Sequence, residues 1–203
     1  MSLGYRILYR LGITPWERDE VPEPVKRLAG EPSAPGRALD LGCGSGRDAV
    51  YLAQQGWQVT AVDAVTQALG EARERARTAG VEVDFRQGDV TRLEQLGLDA
   101  GTFDLVLDRG CFHGLGREEQ EACARGVNAL AGGHAELLMF AFSPGWHGPA
   151  PRGVSADEIL KRFGPGEWEL LSSTPDSEGR LPPWLRNAKP AWHRLQQRAS
   201  ASA

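Results

Sequence analysis

Asp40-Leu41-Gly42-Cys43-Gly44-Ser45-Gly46 puts three glycines into five positions, directly after an apolar run and directly before a helical pattern. Glycines there permit a tight turn and let backbone approach a ligand closely, at the strand end where parallel sheets bind cofactors. A dinucleotide fingerprint, G-x-G-x-x-G, would need a third small residue where this chain has Arg47. Asp63 closes the next apolar run. A carboxylate at that place can accept hydrogen bonds from both hydroxyls of a ribose or cap the following helix, and the two roles are compatible. Asp108 and His113 bracket Arg109-Gly110-Cys111-Phe112 after a later apolar run. His113 is the candidate general base, since imidazole titrates near working pH; the plain alternative is a pocket-wall or capping residue. Asp108 can orient a cofactor ammonium group, take an acceptor's proton or cap its turn, and the first is the preferred reading. Cys43 and Cys111 read as small packing residues. His134 and His147 are too far from any Cys, Asp or Glu partner in sequence to argue a metal site.

Alternating strand and helix patterns must position these residues. Ala38–Leu41 reads as a buried strand, Asp48–Gln55 as a helix closed by Gly56, Gln58–Asp63 as a second strand and Gln67–Ala79 as a helix stopped at Gly80. Val81–Phe85 and Phe103–Asp108 read as strands, and Arg117–Leu130 as a helix stopped by Gly132-Gly133. Ala135–Phe142 is a long apolar strand, Ser155–Phe163 a helix, Trp168–Ser172 a strand, Thr174–Trp184 a loop and Ala191–Gln197 a final edge strand. The expected fold is α/β: a Rossmann-like, doubly wound, mostly parallel seven-stranded sheet with helices on both faces. Ahead of it, Leu3, Ile7, Leu8 and Leu11 recur at helical spacing, and Glu31-Pro32-Ser33-Ala34-Pro35-Gly36 forms a linker that no helix crosses. Residues 1–36 are therefore an expected helical lid or extension on a domain of residues 37–203, one structural domain overall.

The composition sets outer limits. Two hundred and three residues, 41% hydrophobic and 25% charged, suit one soluble globular domain. Lys+Arg 23 against Asp+Glu 27 gives a net charge of −4 with no basic stripe, so the electrostatic footprint of a nucleic-acid binder is missing. Three cysteines without C-x-x-C spacing argue against a disulfide framework or a structural zinc. No run approaches the ~20 apolar residues of a spanning helix, and the N-terminus lacks the form of a signal peptide. The expectation is a cytoplasmic protein, monomeric or homodimeric, with no nucleic-acid or membrane partner.

Asp40-x-Gly42-x-Gly44-x-Gly46 resembles motif I of the class I S-adenosylmethionine-dependent methyltransferases, whose cofactor carries no phosphate. Gln87-Gly88-Asp89-Val90 is similar to that family's adenine-contacting loop, which implies Asp89 on the exocyclic amine and Val90 against the ring. Phe103–Asp108 with Arg109-Gly110-Cys111-Phe112-His113 resembles motif IV, the strand end facing the transferable methyl group. The resemblance implies S-adenosylmethionine as cofactor, S-adenosylhomocysteine as product, and cofactor contacts at Asp40, Gly42, Cys43, Gly44, Asp63, Ala64, Asp89, Val90 and Asp108. Pro15-Trp16-Glu17, Asp108 to Leu115 and Gly148 to Ser155 look like the thiol, halide and thiopurine S-methyltransferases and the related tellurite-resistance methyltransferases. That narrower likeness implies Trp16 as a cofactor contact and Tyr5 and Tyr9 as lid residues. It also implies a small-molecule acceptor site including Arg109, Phe112 and His113; Trp146 and Arg152 are added to it because their loop follows the carboxyl end of a strand, with a solvated surface charge as the alternative for Arg152. A thiolate, halide or chalcogenide is already nucleophilic, whereas a phenolic or hydroquinone oxygen, the second reading, needs a base such as His113. From other classes, an NAD-dependent oxidoreductase and a non-catalytic binder of the cofactor remain as alternatives.

Overall fold

The computed structural model describes residues 20–31, 35–148, 150–177 and 183–198. By its contacts the chain divides after Val90 into two compact units. The first contains α1 (Glu23–Ala29), β1 (Arg37–Leu41), α2 (Arg47–Gln54), β2 (Gln58–Asp63), α3 (Thr66–Ala79) and β3 (Asp84–Gln87). Its strands run in the order β3-β2-β1, all parallel, with Ala38 opposite Val59 and Thr60 opposite Asp84. Small side chains make the inner face of α3, where Ala68, Leu69, Ala72 and Ala76 are buried, so helix backbone packs close. α1 is held by burial of Val25 and Leu28 and by the Trp57 indole N–H donating to Ala29 O at 3.4 Å.

The second unit contains β4 (Phe103–Arg109), α4 (Arg117–Leu130), β5 (Ala131–Ala141), α5 (Ala156–Phe163), β6 (Trp168–Pro175) and β7 (Ala191–Gln197), with short 3₁₀ turns at Phe112–Gly114 and Pro183–Ala188. β4 and β5 are parallel, and β7 is antiparallel to both β5 and β6. The result is the expected α/β class with seven strands, mostly parallel.

Three boundaries and the place of one strand differ from the sequence reading, each for a local reason. β3 starts at Asp84 and not Val81, because the Gly80 and Val81 N–H groups bond back to Arg77 O and Ala76 O and close α3 in a Schellman turn. Gly132 and Gly133 do not separate α4 from β5 but lie inside β5. Phe103 pairs with Ala131 and Leu105 with Glu136, so residues 132–135 bulge opposite Asp104. The segment expected to be a loop from Thr174 begins as strand, since β6 runs to Pro175. β7 is not an edge strand: it lies between β5 and β6 and is paired along both sides. The expected N-terminal helix, with Tyr5, Tyr9 and Trp16, lies outside the described residues. No helix among the described residues is long and apolar enough to cross a membrane.

Candidate functional site

In the first unit the chemistry gathers at the carboxyl ends of β1, β2 and β3. After β1, the Gly42 and Cys43 N–H groups both donate to Val62 O, at 2.8 and 3.1 Å, which ties the glycine turn to the end of β2. Gly42, Gly44 and Gly46 all have left-handed φ, at 67°, 53° and 73°. The Asp63 carboxylate accepts from Gly44 N–H at 2.9 Å and from Val65 N–H at 2.8 Å, so it joins the glycine turn to the entry of α3. Asp63 O accepts from Gly88 N–H at 3.0 Å, which brings the Gly88-Asp89-Val90 loop beside it. The Arg75 side chain, on α3, donates to Ser45 O at 3.0 Å and holds the far end of the turn.

Burial and the charges of Asp40 and Asp63 push the Cys43 thiol far up, so it stays protonated and is no nucleophile. Three side-chain-free turn positions beside carboxylate acceptors for hydroxyls suit the ribose of a nucleoside cofactor.

In the second unit, Asp108 is completely buried at the end of β4. Oδ1 accepts from Gly110 N–H at 3.1 Å and Cys111 N–H at 3.0 Å, and Oδ2 from Phe112 N–H at 2.9 Å. Burial pushes its carboxyl up to about 7, against the three N–H groups that pull it down. The Gln120 amide, on the buried face of α4, donates to Phe112 O and Leu115 O, both at 3.3 Å, and fixes the other side of this turn. His113 is 5% exposed, and Phe142 N–H donates to its Nδ1 at 2.8 Å. Nδ1 is thus an acceptor, which puts the ring proton on Nε2. Burial, with the nearby His147, lowers the His113 pKa to about 4, so the ring is neutral at working pH. Its ring centroid lies 4.8 Å from that of Phe142 and 6.3 Å from that of Phe140, and Phe140 meets Trp192 edge-on at 5.3 Å. His147 is anchored by its Nε2, 2.8 Å from Ser143 O. An aromatic cluster therefore surrounds the carboxyl end of β5.

Several expected residues fall into these two groups. Asp40, Gly42, Cys43, Gly44, Asp63, Ala64, Asp89 and Val90 gather in the first unit, with Asp40 and Val90 buried and Ala64 and Asp89 half-buried. Asp108, Arg109 and His113 gather in the second. Phe112 departs from its expected acceptor role: its side chain has no exposed surface and packs on Phe163 of α5, ring centroids 5.5 Å apart, which makes it a core residue. Trp146 is 84% exposed and shares a loop with the exposed Arg152, closed by Gly145 N–H to Arg152 O and Val154 N–H to Phe142 O, both 2.9 Å. Arg75, Gln120 and His147 went unnoticed as organisers. Gln120 had a legible signal, a polar residue on the same helical face as the apolar Cys123, Ala124 and Val127; Arg75 had none, since its partner is a backbone carbonyl.

A glycine turn after the first strand, an acidic residue ending the second and a buried carboxylate ending the fourth define a nucleoside-cofactor α/β enzyme class. Comparison with known proteins narrows it. A methyltransferase-domain family matches residues 38–132. An uncharacterized methyltransferase of Schizosaccharomyces pombe is 31% identical over 105 residues, which are 52% of this chain and 70% of that protein. Among solved structures, the 1,6-didemethyltoxoflavin-N1-methyltransferase of Burkholderia thailandensis, with bound S-adenosylhomocysteine, superposes with a TM-score of 0.75 at 22% identity, covering 97% of this chain and 86% of that one. TehB of Haemophilus influenzae superposes with a TM-score of 0.73 at 19% identity, covering 94% and 66%. The chain belongs to the class I S-adenosylmethionine-dependent methyltransferases. Membership of that family sets the NAD-dependent alternative aside.

Proposed function

We propose that this methyltransferase acts on a small-molecule acceptor that reaches it as a soft anion: a thiolate, halide or heavier chalcogenide. One observation carries the reading. His113 Nδ1 is taken by the Phe142 N–H and both Asp108 oxygens are taken by their own turn, so neither side chain is arranged to remove a proton from a hydroxyl. An acceptor that is already ionised needs no such base. The aromatic rings of Phe140, Phe142 and Trp192 add a preference for a flat, aromatic thiol. TehB, itself similar in fold, agrees with the narrower resemblance without deciding the acceptor.

When bound, the cofactor would supply an electrophilic sulfonium methyl for in-line transfer to the acceptor. The chain's contribution is positioning, the main source of rate in an in-line displacement. Asp63 would receive the ribose hydroxyls, with Asp40, Gly42, Cys43, Gly44 and Ala64 holding the amino-acid and sugar portions and Asp89 and Val90 the adenine. Asp108 shapes the turn after β4, through which Arg109 and His113 reach the acceptor, and Arg152 and Trp146 border it from their loop.

The test is release of S-adenosylhomocysteine on incubation with S-adenosylmethionine and, separately, hydrosulfide, iodide, thiophenol and a hydroquinone. Turnover is expected with thiophenol and the simple anions. Turnover with the hydroquinone alone would reverse the acceptor assignment, and turnover with none, despite tight cofactor binding, would favour a non-catalytic binder. The cofactor end has its own check: Asp63→Ala leaves the Gly44 and Val65 N–H groups without their carboxylate. Calorimetric titration should then show S-adenosylhomocysteine bound ~10–100-fold more weakly, the value of a lost charge-assisted hydrogen bond. Wild-type affinity in that variant would remove Asp63 from the cofactor site.

A further inference from the structure

We propose that the Nε2–H of His113 is the hydrogen-bond donor that seats the reacting atom of the methyl acceptor, an inference that rests on the methyltransferase reading above. With Nδ1 accepting from the Phe142 N–H at 2.8 Å, the proton of the neutral ring belongs on Nε2. Among the described residues the Phe142 N–H is the ring's one hydrogen-bond partner, and none of them offers an acceptor to the Nε2–H. The ring is only 5% exposed, yet its Nε2 is not one of the fully buried atoms left without a partner, so the N–H faces room that a ligand atom can enter. Gly110 keeps a space open in front of it. A Cβ at that position would sit 3.4 Å from Nε2 and 3.8 Å from Phe140 Cδ1, so any side chain there would cover the donor. The rings of Phe140 and Phe142 flank His113, their centroids 6.3 and 4.8 Å from its own, and Gly110 belongs to the turn that Asp108 and Gln120 hold rigid from its two sides.

A fixed neutral donor differs from a base in what it does to an acceptor. A hydrogen bond given to the ionised form stabilises it, lowers its pKa and keeps it anionic at neutral pH without any proton being removed by the protein. It also points the lone pairs of the reacting atom, which is the positioning that an in-line displacement requires. The ligand class is a small molecule whose reacting atom is anionic and accepts one hydrogen bond: an aromatic thiolate first, a halide or chalcogenide next.

The decisive variant is His113→Asn. Its Oδ1 occupies the place of Nδ1 and keeps the Phe142 bond, while nothing reaches the place of Nε2. With thiophenol as the probe acceptor, the expected result is near-wild-type melting, unchanged affinity for S-adenosylhomocysteine and a KM for thiophenol raised by about tenfold or more, the loss expected for one charge-assisted bond. His113→Phe keeps the ring contacts and loses both bonds, and should show the same catalytic loss together with a lower melting temperature. Wild-type KM and kcat in His113→Asn would overturn the proposal. A second measurement does not depend on the variant's folding: ¹⁵N NMR of histidine-labelled wild-type protein should place the His113 proton on Nε2, and that signal should move when thiophenol is added with S-adenosylhomocysteine. A proton on Nδ1, or an Nε2–H signal unmoved by thiophenol, iodide and hydroquinone alike, would overturn it. A wild-type protein that binds no S-adenosylhomocysteine would instead strike the methyltransferase reading, and the calorimetry separates the two failures.

Discussion

Gly46→Ala is expected to cost about 2–5 kcal/mol of stability and to abolish binding of S-adenosylhomocysteine. Gly46 has φ of 73°, where an L-residue pays roughly 1–2 kcal/mol. It also has no room: a Cβ would lie 2.6 Å from Ala72 Cβ, 3.1 Å from Ala72 Cα and 3.2 Å from the Phe85 ring. Ala72 is fully buried on the small-residue face of α3, so no flexible side chain can give way, and α3 itself must retreat at the usual overpacking cost of about 1–3 kcal/mol. Retreat of α3 moves Arg75 off Ser45 O and Val65 off the Asp63 carboxylate, which breaks the glycine turn at both of its anchors. Urea denaturation with and without S-adenosylhomocysteine checks both halves. Adding Ala72→Gly should recover part of the lost stability by reopening the contact, and an unaltered midpoint in Gly46→Ala alone would refute the packing argument.

Asp108→Ala should be comparably severe and should carry a pH signature. The Gly110, Cys111 and Phe112 N–H groups lose their acceptor at once, and unmet buried donors cost about 1–3 kcal/mol each where water cannot reach them. Relaxation of the turn brings the expected loss to about 3–5 kcal/mol in acidic buffer. The pH dependence follows from the direction of the shift. The folded carboxyl titrates near 7 and the unfolded one near 3.8, so between those values the folded state holds the extra proton. Stability from this group is complete below about pH 4 and is lost as pH rises toward and through 7. The gap in melting temperature between wild type and Asp108→Ala should therefore narrow from pH 5 to pH 8. A gap that widens with pH would mean that the three N–H donors outweigh burial and hold the carboxyl in its charged form. Cofactor binding by the surviving folded fraction then tells whether Asp108 acts only through its turn.

Much of the cofactor end was written in local sequence. Strand β2 was legible to the residue, because Val59 to Val62 form an apolar run between Gly56 and the acidic Asp63. The glycine turn was legible because left-handed backbone leaves its mark as glycine. The family resemblance that those stations carried was upheld by relatives that share the sequence. Boundaries shifted where a hydrogen bond to a carbonyl several residues away decided them, as at Val81, and where paired glycines served a bulge and not a helix stop, as at Gly132 and Gly133.

The acceptor end depended on chain folding to a degree that no local pattern could supply. Periodicity shows that Phe112, Phe140 and Phe142 are apolar, but only packing makes Phe112 a core residue against Phe163 and leaves Phe140 and Phe142 beside His113. The sequence by itself determined the cofactor class, the order of strands and helices, and the residue types available for chemistry, since each depends on spacing within one element or one turn. Tertiary structure alone decided that β7 is an interior strand, and that the Nδ1 of His113 is held by a backbone N–H. Both turn on hydrogen bonds between residues far apart in the chain, and the one from Phe142 N–H to His113 Nδ1 spans 29 positions.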